Sequence, residues 1–320
     1  MRQSQLHVLS SSQLENLQSN GYLLLKGILD PKTCKDFDDN IVQPSLKKYG
    51  GIDQTNPATW NTDRLKAFAT GDYNSEKPNI LPGVMVRQKS GLDPIPDEES
   101  LDLSALTPIL DQLHGGRNTW EWLHKNVGWI HVRFPLDTAA KTKMKDVKTW
   151  HVDGGHFTPH FINSPEQSII VLPMIRSVDK GGGNTLILKK SHIYMAHMLE
   201  KAGTDGIPRE VTQNASDIAR IWPEELIVEV SPCDAGDVLL IHPFCVHAAG
   251  EACAGQPPRV AFNMGVRWKN TPIIDKDNAT QATNLVSSSW LEKNIALTLN
   301  ESLEFLSSRA FTSRIEPKIK

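Results

Sequence analysis

From residue 128 onward the chain is written in short β-rich runs divided by turn residues: GWIHVRF, TWHVD, QSIIVLPMI, NTLILKK, ELIVEV, DVLLIHP and RVAFNMGVRW. Val, Ile, Thr and the aromatics crowd into these runs, while Gly, Pro, Asn and Asp stand between them. So many short strands in succession predict a sandwich or a barrel. One helical insertion, SHIYMAHMLEKAG, lies among them, and SSWLEKNIALTLNESLEFLSSR predicts a helical tail. No fixed-period repeat or low-complexity tract is present, which excludes a solenoid.

The preceding half has a different texture. Ser12 and Glu15 have the spacing of a capping box, predicting a short helix through SQLENLQSN that Gly21 stops. A strand in YLLLKGIL follows. Asp30 before Pro31 predicts a helix start, with proline at the first helical position and a break near Pro44. Between residues 50 and 100 Gly, Pro, Asn and Asp are frequent, and GLDPIPDEESLDL is an acidic loop ahead of a helix at ALTPILDQLHG.

A length of 320 residues fits one elaborated domain, since β-barrel folds run this long as a single unit. Residues 1–127 are then a helical and loop cover, 128–268 the barrel core and 269–320 a helical tail. With 39% apolar and 22% charged residues the chain has ample material for a core. A net charge of -3 with no basic block disfavours a nucleic-acid partner. No segment approaches the about 20 apolar residues of a membrane span, and MRQSQLHVLSSSQLENL lacks a signal-peptide core, so a cytoplasmic protein is expected. Cys34, Cys233, Cys245 and Cys253 include no C-x-x-C pair, so reduced, structural thiols are expected and the sequons at Asn214, Asn278 and Asn300 carry no weight.

The chemistry concentrates in TWHVDGGHF, residues 149–157. On a strand His151 and Asp153 share a face, because side chains alternate with a period of two, and can share one ion. Alone, His-x-Asp recurs by chance on many surface strands. A third ligand must come from elsewhere, and GDVLLIHPFCVHAAGE supplies His242 and His247. Two imidazoles and one carboxylate make the facial triad of non-haem Fe(II) oxygenases, with positions left open for a co-substrate and dioxygen. Downstream, Arg259 opens RVAFNMGVRW. Its guanidinium fork suits the far carboxylate of a small dicarboxylate such as 2-oxoglutarate, although an arginine opening a strand is often only solvated.

These residues carry a resemblance to the phytanoyl-CoA dioxygenase-like branch of the Fe(II)/2-oxoglutarate-dependent oxygenases. GDVLLIHPFCVHAAG resembles the branch's strand in which a first histidine precedes proline and a second, followed by small residues and glycine, binds iron. That implies His247 as the ligand and a packing role for His242. GGGNTLILKKSH resembles another family segment at Gly183, Thr185, Ser191 and His192, and departs from it at Lys189 and Lys190, where Pro-Gly is usual. The helix running into NGYLLLKGIL is similar to the family's N-terminal opening. The matching segments spread from residue 12 to about 268.

The resemblance implies a distorted double-stranded β-helix, a jelly-roll or cupin-like barrel that is mainly β with flanking helices. It implies Fe(2+) held by His151, Asp153 and His247, with 2-oxoglutarate and dioxygen as co-substrates and Arg259 and Thr185 binding 2-oxoglutarate. The activity implied is oxidation of a small organic metabolite by hydroxylation, desaturation or oxidative cyclisation, a carboxylate-bearing natural-product intermediate of secondary metabolism being one such substrate. A non-catalytic small-molecule binder on the same barrel and a zinc hydrolase are the rival readings; neither needs both the full ligand set and Arg259. The sequence selects neither the substrate nor the oligomeric state.

Other residues have two readings each. In GWIHVRF one face carries Trp129, His131 and Arg133 and the other Ile130, Val132 and Phe134. If the apolar face packs on the covering helices, the polar face lines the interior and meets substrate; with the sheet reversed it is exposed. His156 and His160 follow the metal motif in a segment bent by Gly154, Gly155 and Pro159, and either touch substrate or do nothing. Thr185 is a carboxylate donor or one more β-branched residue. Trp150 shields the metal or packs. Gly181 to Gly183 lack the Gly-Lys-Ser/Thr ending of a phosphate loop and predict a turn.

Overall fold

A computed structural model describes residues 8–50, 52–53, 55–59, 85–86, 101–123, 129–133, 135, 142–154, 159–161, 168–253 and 258–269. The expected C-terminal helix lies outside them. The first helix, α1 (Ser11–Asn20), begins on a capping box built by Ser10 and Gln13, two residues ahead of the expected Ser12 and Glu15. Either pair has the correct spacing; the earlier one lets Leu9 bury in the core and leaves Leu17 on the packed face. Gly21, at φ 80°, ends the helix as expected and feeds β1 (Tyr22–Leu25).

Asp30 caps α2 (Pro31–Phe37), its side chain accepting from the Lys32 amide at 2.9 Å. The expected break at Pro44 does not occur. A π-helical turn over Asp38–Val42 runs directly into α3 (Gln43–Gly50), so Pro44 falls in the first turn of a new helical segment, where its missing N–H costs little. Next come β2 (Met85–Val86), α4 (Thr107–His114), which Gly115 ends at φ 79°, and β3 (Trp120–Trp122).

The strands that follow are β4 (Trp129–Arg133), β5 (Ile169–Pro173), β6 (Thr185–Leu188), β7 (Ile227–Glu229), β8 (Val238–Ile241), β9 (His247–Ala249) and β10 (Arg259–Trp268). The helical insertion is α5 (Ser191–Ala202), and two short helices, α6 (Arg209–Thr212) and α7 (Ser216–Ile221), come after it. Of the seven expected strands, TWHVD is not one: it holds a single antiparallel bridge, His151 to His247, and Gly154 at φ 99° turns the chain away.

Among the described residues the strands form two antiparallel sheets. One has the order β1-β8-β5-β10-β4-β2, with β3 also on β10; the other has the order β7-β6-β9. Period-two alternation sorts the large sheet's side chains. Leu23, Leu25, Val171, Val238, Leu240, Val260 and Phe262 face a core completed by Leu17, Phe37, Ile109, Leu110 and Leu113 of the helices. The opposite face, with Ile170, Leu172, Leu239, Ile241 and Ala261, meets Ile187 of the small sheet. Leu186 and Leu188 turn outward onto α5. Strands such as β5 and β8 are thus buried on both sides, which is why they read as unbroken apolar runs.

The molecule is therefore sheet-rich, with helices flanking two facing sheets. Among the described residues no helix is long and apolar enough to cross a membrane. Arg176, beyond the end of β5, donates to Asp38 at 2.7 Å and ties the π-turn to the large sheet.

Candidate metal centre

His151 and His247 sit on facing chain segments that exchange both backbone hydrogen bonds at 2.9 Å, an arrangement that puts the two side chains on one side. Their rings lie 4.4 Å apart. The His-x-Asp segment is anchored by its own backbone: the Val152 amide donates to Thr212 at 2.7 Å, and the Gln213 side chain donates to the Val152 carbonyl at 2.8 Å. Asp153 consequently turns back toward the pair, with its Oδ1 3.0 Å from His151 Nε2 and 3.7 Å from His247 Nε2.

The donor set fits a divalent cation. One atom from each of the three residues falls within 4.8 Å of the others, the only such group of three among the described residues. Each imidazole is oriented from behind: His151 Nδ1 lies 2.7 Å from the Thr149 carbonyl and His247 Nδ1 3.0 Å from the Cys245 carbonyl. A carbonyl only accepts, so Nδ1 carries a hydrogen and Nε2 faces inward, where a metal would displace the proton that His151 Nε2 shares with Asp153. The second Asp153 oxygen, Oδ2, accepts from Asn263 at 2.7 Å. One carboxylate oxygen is thus held by protein, leaving the other for an ion.

The electrostatics agree. Burial works against the Asp153 charge, yet His247, His151 and the Asn263 bond hold its carboxyl well below the usual range. Burial and the neighbouring His151 push His247 down to about 4, so it is neutral and able to ligate at neutral pH. Burial also opposes a charge on His151, but Asp153 overrides it and raises that pKa.

Arg259 is 1% exposed, and one guanidinium nitrogen donates to the Gly183 carbonyl at 3.2 Å and the other to Thr185 Oγ1 at 3.1 Å. Among the described residues its Nε has no partner, and neither has the buried Nε2 of His131. Both unsatisfied groups belong to the inward face of β4 and β10, where Arg259 pairs with Arg133, Ala261 with His131 and Asn263 with Trp129. Val132, Val260 and Phe262 alternate into the core under the helices. His131 and Arg133 therefore lie on the face of the sheet turned away from the helices, opposite Val132. Burial, then the charges of Arg259 and Arg133, take His131 down to about 3, which keeps it neutral.

His242 lies outside the cluster. It stacks on His192 with ring centroids 4.9 Å apart and accepts from the Phe244 amide at 3.2 Å. Trp150 is fully buried among the residues under α5 and donates to Met144, which makes it a packing residue. His160 Nε2 reaches the Asp153 carbonyl at 3.0 Å. Gly181 to Gly183 form the expected turn, the Gly181 amide donating to Glu229 at 2.7 Å. His156 and the Trp129 side chain lie outside the described residues. Sequence reasoning missed Asn263, although it stands on the same period-two face of β10 as Arg259.

A family model of phytanoyl-CoA dioxygenase (PhyH) matches residues 17–261. No curated protein matches the chain. Among solved structures the chain is similar to AviO1 from Streptomyces viridochromogenes Tue57, at 14% identity and a TM-score of 0.50, over 84% of this chain and 99% of that one. It is similar to SnoK, a non-heme alpha ketoglutarate dependent carbocyclase from nogalamycin biosynthesis, at 17% identity and a TM-score of 0.49, over 88% and 92%. HygX from Streptomyces hygroscopicus, with nickel and 2-oxoglutarate bound, follows at 14% and 0.46, over 83% and 90%. At such identities the likeness to AviO1 is one of fold.

Proposed function

The chain belongs to the phytanoyl-CoA dioxygenase family, and from that premise we propose that it is an Fe(II)- and 2-oxoglutarate-dependent oxygenase acting on a small organic molecule. The observation that carries the reading is the convergence of His151, Asp153 and His247 within 4.8 Å, with each Nδ1 held by a backbone carbonyl so that each Nε2 faces the carboxylate. We read the two facing sheets as a distorted double-stranded β-helix within a single domain, which sets the small sheet's His247 against the His-x-Asp segment.

His151, Asp153 and His247 would hold the iron on one face. The chemistry it supplies when bound is oxidation of a substrate C–H bond by dioxygen, coupled to decarboxylation of 2-oxoglutarate to succinate. The rest is the work of this chain. Arg259, pre-oriented by Thr185 and Gly183, binds the far carboxylate of 2-oxoglutarate, and its unpartnered Nε gives that anion a third donor. Burial takes the Arg259 pKa down to about 10, so it remains cationic at neutral pH. His131, neutral and buried, offers one uncharged nitrogen without adding charge.

The test is succinate formation from 2-oxoglutarate with Fe(II) under air, screened across small acids and amino-acid derivatives. His151→Ala and His247→Ala should each abolish metal binding and succinate, whereas His242→Ala should retain both. Anaerobic loading that leaves zinc in the site, with no affinity for 2-oxoglutarate, would replace this reading by the hydrolase one.

A further inference from the structure

Among the described residues of β4 and β10 two arginines, Arg133 and Arg259, face the interior, and only Arg259 has a part in holding 2-oxoglutarate. Arg133 and Arg259 are direct partners across β4 and β10, so their side chains leave the sheet on the same side. The two guanidiniums are unlike in their surroundings. Arg259 has its terminal nitrogens committed to Gly183 and Thr185. Arg133, only partly exposed, makes no hydrogen bond or ion pair with any described residue. Asp153, the acid of the metal centre, has one oxygen 3.0 Å from His151 and the other 2.7 Å from Asn263.

We infer that Arg133 is a second anion site, separate from Arg259, and that the substrate oxidised here carries a carboxylate bound to it. The inference rests on the oxygenase reading and follows from a count of charge. A divalent ion brings two positive charges and Asp153 removes one; the two arginines add two more. The two carboxylates of 2-oxoglutarate cancel two, and among the described residues one positive charge is left. That surplus resides on Arg133, since Arg259 has the co-substrate.

A neutral substrate would close over an unmatched guanidinium, which is costly once water is displaced. A carboxylate fits the planar fork in two parallel hydrogen bonds and also relieves the repulsion between the paired arginines. Burial first, then the Arg259 charge, takes Arg133 down to about 9. Arg133 lies opposite Arg259 and two residues along β4 from His131, on the face from which Asn263 of β10 reaches Asp153.

The experiment uses the smallest carboxylate, so that no shape requirement intervenes. Protein loaded with Mn(II) and saturating 2-oxoglutarate is titrated with carboxyl-labelled 13C-acetate, and the paramagnetic relaxation of the label is measured. Wild-type protein should enhance the relaxation at least fivefold over Arg133→Leu, Arg133→Lys should recover part of the effect, and labelled acetamide should show none. Equal enhancement in wild type and Arg133→Leu overturns the proposal. The dissociation constant of 2-oxoglutarate should change less than threefold in Arg133→Leu; a rise of tenfold or more would make Arg133 part of the co-substrate site and overturn it as well. Thermal unfolding of each variant checks the fold. If wild-type protein binds no 2-oxoglutarate at all, the oxygenase reading fails, while the acetate comparison on the Mn(II) protein still decides the anion site.

Discussion

At the scale of single residues, the centre depends on atoms that never touch the ion. Asn263 holds Asp153 Oδ2 at 2.7 Å, a charge-assisted bond of about 1.5 to 3 kcal/mol. It keeps the carboxylate presenting one oxygen and stops it from swinging across both imidazoles. Asn263→Ala should therefore weaken metal binding by about 10- to 100-fold, the usual effect of removing a group that orients a ligand. Asn263→Asp should be worse than Asn263→Ala, because it sets a second carboxylate against the first. Competition with a chromophoric chelator for Co(II) reads both variants, and unchanged affinity in Asn263→Ala would mean that His151 alone orients Asp153. His151 and Asp153 were legible as a pair from their spacing and chemistry, whereas the choice of His247 over His242 came from the resemblance to the phytanoyl-CoA dioxygenase-like branch. Asn263 was equally legible by alternation, but an asparagine on a strand has no chemistry of its own until its partner is known.

At the scale of elements, what the sequence showed well were apolar runs and caps with a single physical solution. The runs in β5, β8 and β10 sit where they were expected, as does the Asp30 and Pro31 start of α2. The failures share one cause, since each was decided by tertiary contact. TWHVD has a strand's composition but finds one bridging partner, and the strand β9 hides in a run read only for its histidines. Pro44 does not end its helix because the π-turn before it, tied by Arg176 to Asp38, shifts the register. Gly21 shows how tightly such junctions are built. It stands at φ 80°, and a Cβ there would lie 2.5 Å from His192 Nδ1 and 3.1 Å from Cys245 Sγ. Gly21→Ala combines a left-handed backbone with an overpacked contact, and should cost about 2 to 4 kcal/mol. Chemical denaturation measures it. A loss below about 1 kcal/mol would show that the His192 ring can move aside, as relaxation of one side chain is the only cheap escape.

At the scale of the whole molecule, burying two faces of a sheet also buries histidines far from the metal centre, and this gives the fold a pH dependence of known sign. His114 is 1% exposed, under the large sheet, with its ring nitrogens 2.7 Å from the Leu110 carbonyl and 2.6 Å from Ser168 Oγ. Burial takes it down to about 4, and takes His192, packed against α1, down to about 4 as well. The unfolded chain has both near 6.5. Between pH 6.5 and 4 the unfolded state therefore binds more protons than the folded one, so stability is full above that window and falls as the pH falls through it. Integrating the shift from pH 7 to pH 5 gives roughly 2 kcal/mol lost for each histidine. Urea unfolding at the two pH values should show the loss directly. In His114→Gln the protein starts less stable, since two buried hydrogen bonds are disturbed, but the difference between pH 7 and pH 5 should shrink by roughly 2 kcal/mol. An undiminished difference would mean that His114 accepts its proton inside the folded core at pH 5, and that the Leu110 and Ser168 contacts stabilise the cation against its burial.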